Sequence, residues 1–147
     1  MSRIHIPTAL RRLVLERAQG CCEYCLIHQD DTPFAHPLDH VLAIKHGGRT
    51  LSNNLALACV DCNRRKGSDL TSIDPLSGVL VPLFNPRTQQ WYTHFGLIDA
   101  TIRGQTPIGR ATVILLRLND PLRLMQRRAL IQAKRYPPAM LSAHAQE

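Results

Sequence analysis

Long hydrophobic runs are missing from this chain. Nowhere do its 147 residues approach the roughly 18 consecutive apolar positions of a membrane-spanning helix. The longest candidate, 111–118, is broken by Arg117. The opening residues, Met1–Pro7, hold neither an apolar signal core nor a small-residue cleavage site, so a secreted protein is not expected. There is no internal repeat and no low-complexity block. With 44% apolar and 20% charged residues, wholesale disorder and the fibrous classes are excluded. Acidic residues are scarce, 11 against 18 Lys and Arg, which leaves a net charge of +7. Lysine is scarcer still: Lys45, Lys66 and Lys134 alone, so 15 of the 18 cations are Arg. The length suits one domain, or a small domain with an extension. These features predict a cytoplasmic protein with no membrane association and an affinity for polyanions.

What is present in quantity is cysteine in a pattern. Cys21, Cys22, Cys25, Cys59 and Cys62 make an odd number, and a chain without a leader sits in a reducing compartment, so a disulfide framework fits poorly. Cys22-Glu23-Tyr24-Cys25 and Cys59-Val60-Asp61-Cys62 are two C-x-x-C knuckles. Two residues between thiolates let both sulfurs face one ion from a tight turn, and two knuckles complete a tetrahedral zinc site. Four thiolates leave no open position, so this zinc is expected to be structural. Buried thiols or a redox dithiol are the alternative reading, and Cys21 is a bystander. The 33 residues between the knuckles exceed a simple zinc-ribbon loop.

That insert carries Leu38-Asp39-His40-Val41, Lys45-His46-Gly47-Gly48-Arg49 and Asn53-Asn54-Leu55. Asn63-Arg64-Arg65-Lys66-Gly67 follows the second knuckle. Alternation predicts a strand around 38–44, with Asp39 and His40 on opposite faces. Gly47-Gly48 marks a turn, a return segment runs through 54–58, and a short helix starts near Cys62.

Over Cys22–Gly67 the chain resembles the HNH nuclease family, in the order C-x-x-C, D-H, G-G, N-L, C-x-x-C-N, K-G. The resemblance implies an α+β fold with a ββα-metal (HNH/His-Me finger) core and a structural four-cysteine zinc. By that resemblance His40 is the general base and Asp39 holds a divalent ion. Asn54 braces the segment carrying His40, and Asn63 completes an H-N-N variant as a second ligand of the ion. Lys66 contacts a phosphate. The residue chemistry is consistent with this. Phosphodiester hydrolysis needs an activated water, a Lewis acid and a cationic surface. The hard oxygens of Asp39 and Asn63 suit Mg²⁺ or Mn²⁺, and Arg64, Arg65 and Lys66 supply nucleic-acid-binding charge. His36 and His46 flank the motif and are read as structural.

Around this core the pattern predicts a helix over Pro7–Ala18, with Leu10, Leu13, Val14 and Ala18 on one stripe. Beyond a turn at 74–78, segments 79–84 and 90–95 predict a hairpin about Asn85-Pro86, with Trp91 and Phe95 in the core. A helix follows over 106–116. A last one spans about 121–135, with Leu122, Met125, Ala129 and Ala133 on one stripe and Arg123, Arg127 and Lys134 gathered elsewhere. A frayed tail is expected to Glu147. Residues 83–87, 91–95 and 109–113 resemble a stretch that accompanies some small prokaryotic HNH proteins. The expected division is an HNH module with zinc knuckles over 1–73 and a basic α+β extension (hairpin plus helix) over 74–147, packed on it. The first carries 9 basic and 7 acidic residues, the second 9 and 4. That asymmetry predicts that the extension, through Arg123 and Arg127, grips nucleic acid. The leading expectation is a metal-dependent DNA endonuclease, with RNA left open. The alternative is a non-catalytic zinc-containing nucleic-acid-binding module.

Overall fold

The structure, a computed structural model, describes residues 5–139. The expected frayed tail from residue 140 onward, and Met1–Ile4 of the leader reading, lie outside the described residues.

Helix α1 (Thr8–Arg17) follows Pro7, whose missing N–H costs nothing at a helix start. It buries Val14 with Ala18 against Leu55 and Leu57, whereas Leu13 is half-exposed. Strands β1 (Leu38–His40) and β2 (Leu55–Leu57) pair antiparallel, with Asp39 opposite Ala56 and His40 opposite Leu55. The strand is shorter than the 38–44 expected. Beyond His40 the partner is Asn54, whose carbonyl accepts from the Val41 N–H at 2.9 Å and whose side-chain Oδ1 accepts from the Leu42 N–H at 2.8 Å. A 3₁₀ turn (Ile44–His46) follows, and Gly47 (φ +94°) stops it in the left-handed region. At Gly48 a Cβ would collide with the Leu42 carbonyl, so only glycine lets the loop close. Helix α2 (Val60–Lys66) is opened by Cys59, whose sulfur accepts from the Cys62 N–H at 3.4 Å.

The second half corrects the expected hairpin. Segment 79–84 does not pair with 90–95. Instead β4 (Leu80–Pro82) pairs back to β3 (Thr71–Ile73), and β5 (Phe95–Ile98) pairs forward to β6 (Thr101–Gly104). Short closures won. The Asp74 carboxylate accepts from the amides of Leu76 and Ser77 in the first turn, and Asp99 adopts φ +52° in the second. Trp91–His94 is a helical turn, α3. Helix α4 (Pro107–Leu115) is capped by the Thr106 hydroxyl, which accepts from Gly109 N–H at 3.0 Å. Helix α5 (Pro121–Gln132) closes the described fold.

One apolar cluster joins both halves. Cys22, Tyr24, Cys25, Ala56 and Ala58 meet Phe84, Trp91, Phe95, Ile102, Leu116, Leu118 and Tyr136. Phe84 lies edge-on to Phe95 at 5.1 Å, and Trp91 Nε1 donates to the Tyr24 carbonyl at 2.9 Å. His94 is buried here, with Nδ1 2.6 Å from the Thr106 hydroxyl.

Helix α5 lies the other way up from the expected stripe. Leu122 and Met125 are 77% and 63% exposed, while Arg123 and Arg127 are 7% and 2% exposed. Arg127 Nε and Nη2 donate to the carbonyls of Ala100 and Leu118, both at 2.7 Å. A buried guanidinium is tolerable only when its donors are matched in this way.

Candidate metal centre and hydrolytic site

The two knuckles converge. The sulfurs of Cys22, Cys25, Cys59 and Cys62 are buried and all lie within 4.8 Å of one another, with Cys25 and Cys59 at 3.7 Å. A tetrahedral zinc with Zn–S near 2.3 Å separates its sulfurs by ~3.8 Å, so the cluster fits that ion. Cys21 stands outside the cluster, and burial pushes its thiol up to about 11. Burial also pushes the Cys22 and Cys62 thiols up, while hydrogen bonds from its neighbours hold Cys25 down.

Arg123 supplies the cluster's counter-charge. Its Nη2 donates to Cys62 Sγ at 3.0 Å, with Cys59 Sγ at 3.7 Å, and Nη1 donates to the Leu116 carbonyl at 2.9 Å. Burial alone would lower its pKa, but the facing sulfurs raise it, so the guanidinium stays charged. Zinc with four thiolates carries a net charge of −2, and one buried cation halves it.

A polar chain leads from the knuckle to the strand. The Tyr24 hydroxyl, between Cys22 and Cys25 in sequence, donates to Asp39 Oδ2 at 2.7 Å. Lys66 Nζ lies 3.1 Å from the same oxygen and donates to the carbonyls of His40 (3.3 Å) and Val41 (3.1 Å). Asp39 is 3% exposed and Lys66 2%. Burial pushes the Asp39 carboxyl up, and Lys66 with Tyr24 opposes that shift. The expectation that Lys66 contacts a phosphate is therefore corrected: its ammonium is buried as the counter-ion of Asp39.

Asp39, His40 and Asn63 line one open hollow of about 310 Å³, together with Leu38, Lys45 and Gly67. His40 Nε2 is 3.0 Å from the Thr50 hydroxyl, and among the described residues its Nδ1 has no partner. Burial lowers its pKa below the ordinary 6.5, against the pull of Asp39, so the neutral imidazole prevails at pH 7. Asn54 ties the loop together. Its Nδ2 donates to the carbonyls of Leu42 (3.0 Å) and Arg49 (2.9 Å). Arg64 pairs with Asp61 at 3.0 Å and Arg65 with Asp120 at 3.6 Å.

Five of the extension's nine cations are paired or buried within the fold. Arg87 pairs with Glu23, Arg110 with Asp74 and Arg135 with Asp31. Arg123 and Arg127 are buried, so the expected grip through them is corrected. Sequence reasoning missed Tyr24, Thr50 and Arg123. Tyr24 is flagged by its place inside a knuckle, whereas no local signal marks the other two.

The four-cysteine cluster is formed by the two knuckles, and the segment from the strand to the helix brings a carboxylate, a neutral histidine and an asparagine to one hollow. Residues 22–69 match the family model for HNH endonucleases, and this stretch of the chain is an HNH endonuclease domain. The chain is also similar to the Septu protein PtuB of Bacillus thuringiensis, 26% identical over 127 residues that cover 85% of this chain. It spans about half (47%) of that curated relative's length. No solved structure matches the chain. Among the described residues, no helix is long and apolar enough to cross a membrane.

Proposed function

We propose that the protein is a metal-dependent DNA endonuclease whose ββα-metal core is β1, β2 and α2. The core lies in an HNH module over 1–73, on which the 74–147 extension packs. The observation that carries the reading is the convergence of Asp39, His40 and Asn63 on one hollow. Asp39 and Asn63 offer hard oxygens for one Mg²⁺ or Mn²⁺, which when bound would neutralise charge developing on the phosphoryl group. Zinc in the four-cysteine cluster is structural, because four thiolates leave no open position.

His40 takes the proton of the attacking water. With Nε2 committed to Thr50, Nδ1 is the nitrogen that accepts it, and the lowered pKa keeps that nitrogen free at pH 7. Asn54 fixes the loop from which the ring projects by gripping the backbone of Leu42 and Arg49. Lys66 counters Asp39 and holds the carbonyls of His40 and Val41, so it positions the strand end.

The close pairing of Asp39 with Lys66 favours a second reading, a non-catalytic zinc module that binds nucleic acid. Zinc-loaded protein incubated with supercoiled plasmid separates the two. Nicking that requires added Mg²⁺, Mn²⁺ or Ni²⁺ supports the nuclease, and tight binding without nicking in any ion supports the module.

A further inference from the structure

The cations of α2 and those of the loop between β1 and β2 divide by what they touch. Lys66 is buried on Asp39, Arg64 faces Asp61 and Arg65 faces Asp120. Each of the three cations read from sequence as nucleic-acid contacts already has a carboxylate partner. The loop between β1 and β2 is different. Lys45 and Arg49 are exposed there, and among the described residues neither forms an ion pair.

Their placement follows the site. Lys45 lines the hollow with His40 and Asn63. Arg49 directly precedes Thr50, whose hydroxyl meets the His40 ring, and the Arg49 carbonyl is held by Asn54. The loop backbone is pinned at both ends. Gly48 N–H donates to the Ala43 carbonyl at 3.0 Å, and Val41 N–H donates to the Asn54 carbonyl at 2.9 Å. A fixed backbone with free cationic tips suits a polyanion, because little loop entropy is lost on contact.

We propose that this loop, through Lys45 and Arg49, is the surface that grips the sugar-phosphate backbone of DNA entering the hollow. A strand carries one phosphate per ~3.4 Å of helix rise, so a phosphodiester at His40 brings its neighbours against the loop. Arg49 offers a planar fork for two phosphate oxygens, and Lys45 offers a point charge. Such contacts set register and carry no base readout. The hollow as the destination of the strand rests on the nuclease reading, whereas the loop as a DNA surface does not.

The test is fluorescence anisotropy on a 20-base-pair duplex between 50 and 200 mM salt, without added divalent ion. Wild type is compared with Lys45→Ala/Arg49→Ala and with Arg64→Ala/Arg65→Ala, each checked for folding by circular dichroism. The loop pair is expected to lose about 2 from the slope of log K against log salt, and at least ~10-fold in affinity at 100 mM. The helix pair is expected to change affinity less than ~3-fold, because its cations already face carboxylates. A wild-type slope in the loop variant, equal losses in both pairs, or a wild type that does not bind the duplex each overturns the proposal. Plasmid nicking separates the two readings. Loop-dependent binding without nicking in any ion removes the nuclease reading and leaves the loop surface standing. Nicking with a loop-independent slope removes only the loop.

Discussion

Replacing Arg123 by Met keeps the length of the side chain and removes its charge and its fork. The guanidinium bridges Cys62 Sγ at 3.0 Å, Cys59 Sγ at 3.7 Å and the Leu116 carbonyl at 2.9 Å. At ~3 Å and an effective dielectric near 20, one pair of unit charges attracts by about 5 kcal/mol. Taking the guanidinium out of water opposes most of that. The net effect should resemble the loss of other outer partners of a metal site, about 10- to 100-fold in metal affinity, or ~1.4–2.7 kcal/mol. Arg123→Lys keeps the charge without the fork and should fall between wild type and Met. Zinc affinity is measured by chelator competition, and urea unfolding is followed with and without zinc. Because Arg123 belongs to α5, the variant should also lose amide-exchange protection in α5 before it does in α1. An Arg123→Met protein with unchanged zinc affinity and an unchanged unfolding midpoint would refute the reasoning.

Other outcomes follow from the same contacts. Cys59→Ser removes a thiolate ligand while leaving a hydroxyl able to cap α2, so the loss of metal binding should abolish cooperative folding, read as loss of a two-state urea transition. The pH profile of nicking should rise with an apparent pKa below 6.5, because burial disfavours the imidazolium. Thr50→Val removes the hydroxyl 3.0 Å from His40 Nε2. It should lower kcat by roughly 10-fold with KM nearly unchanged, as measured by steady-state nicking.

The four-cysteine cluster was legible because C-x-x-C spacing is a local geometric demand, met whatever the rest of the chain does. The Asp39–His40 strand, the Gly47-Gly48 turn and the helix beginning near Thr106 were legible for the same reason. Helix α5 was not. Periodicity places apolar residues inward, but Arg123 is drawn in by sulfurs 61 positions earlier in the chain, and Leu122 and Met125 are turned out with it. Lys66 misled in the same way: a lysine after a knuckle looks solvent-facing until Asp39, 27 positions away, proves to be its partner. The net charge of +7 suggested a basic clamp in the extension. Arg110 and Arg127 instead bond within that extension, and Arg87, Arg123 and Arg135 tie it to residues of the first 73. Hairpin pairing was misread because the Asp74 carboxylate organises one turn and Asp99 closes a two-residue one, a competition with Asn85-Pro86 that turn residues alone do not rank.

The central claim is that His40 is the base of a phosphodiester hydrolysis. The most direct measurement is the nicking rate of zinc-loaded His40→Ala beside wild type, with Mg²⁺ or Mn²⁺, on one plasmid preparation. A lost general base should lower the rate by about 10²- to 10⁴-fold while duplex binding and zinc content stay at wild-type values. Equal rates in the two proteins would contradict the account.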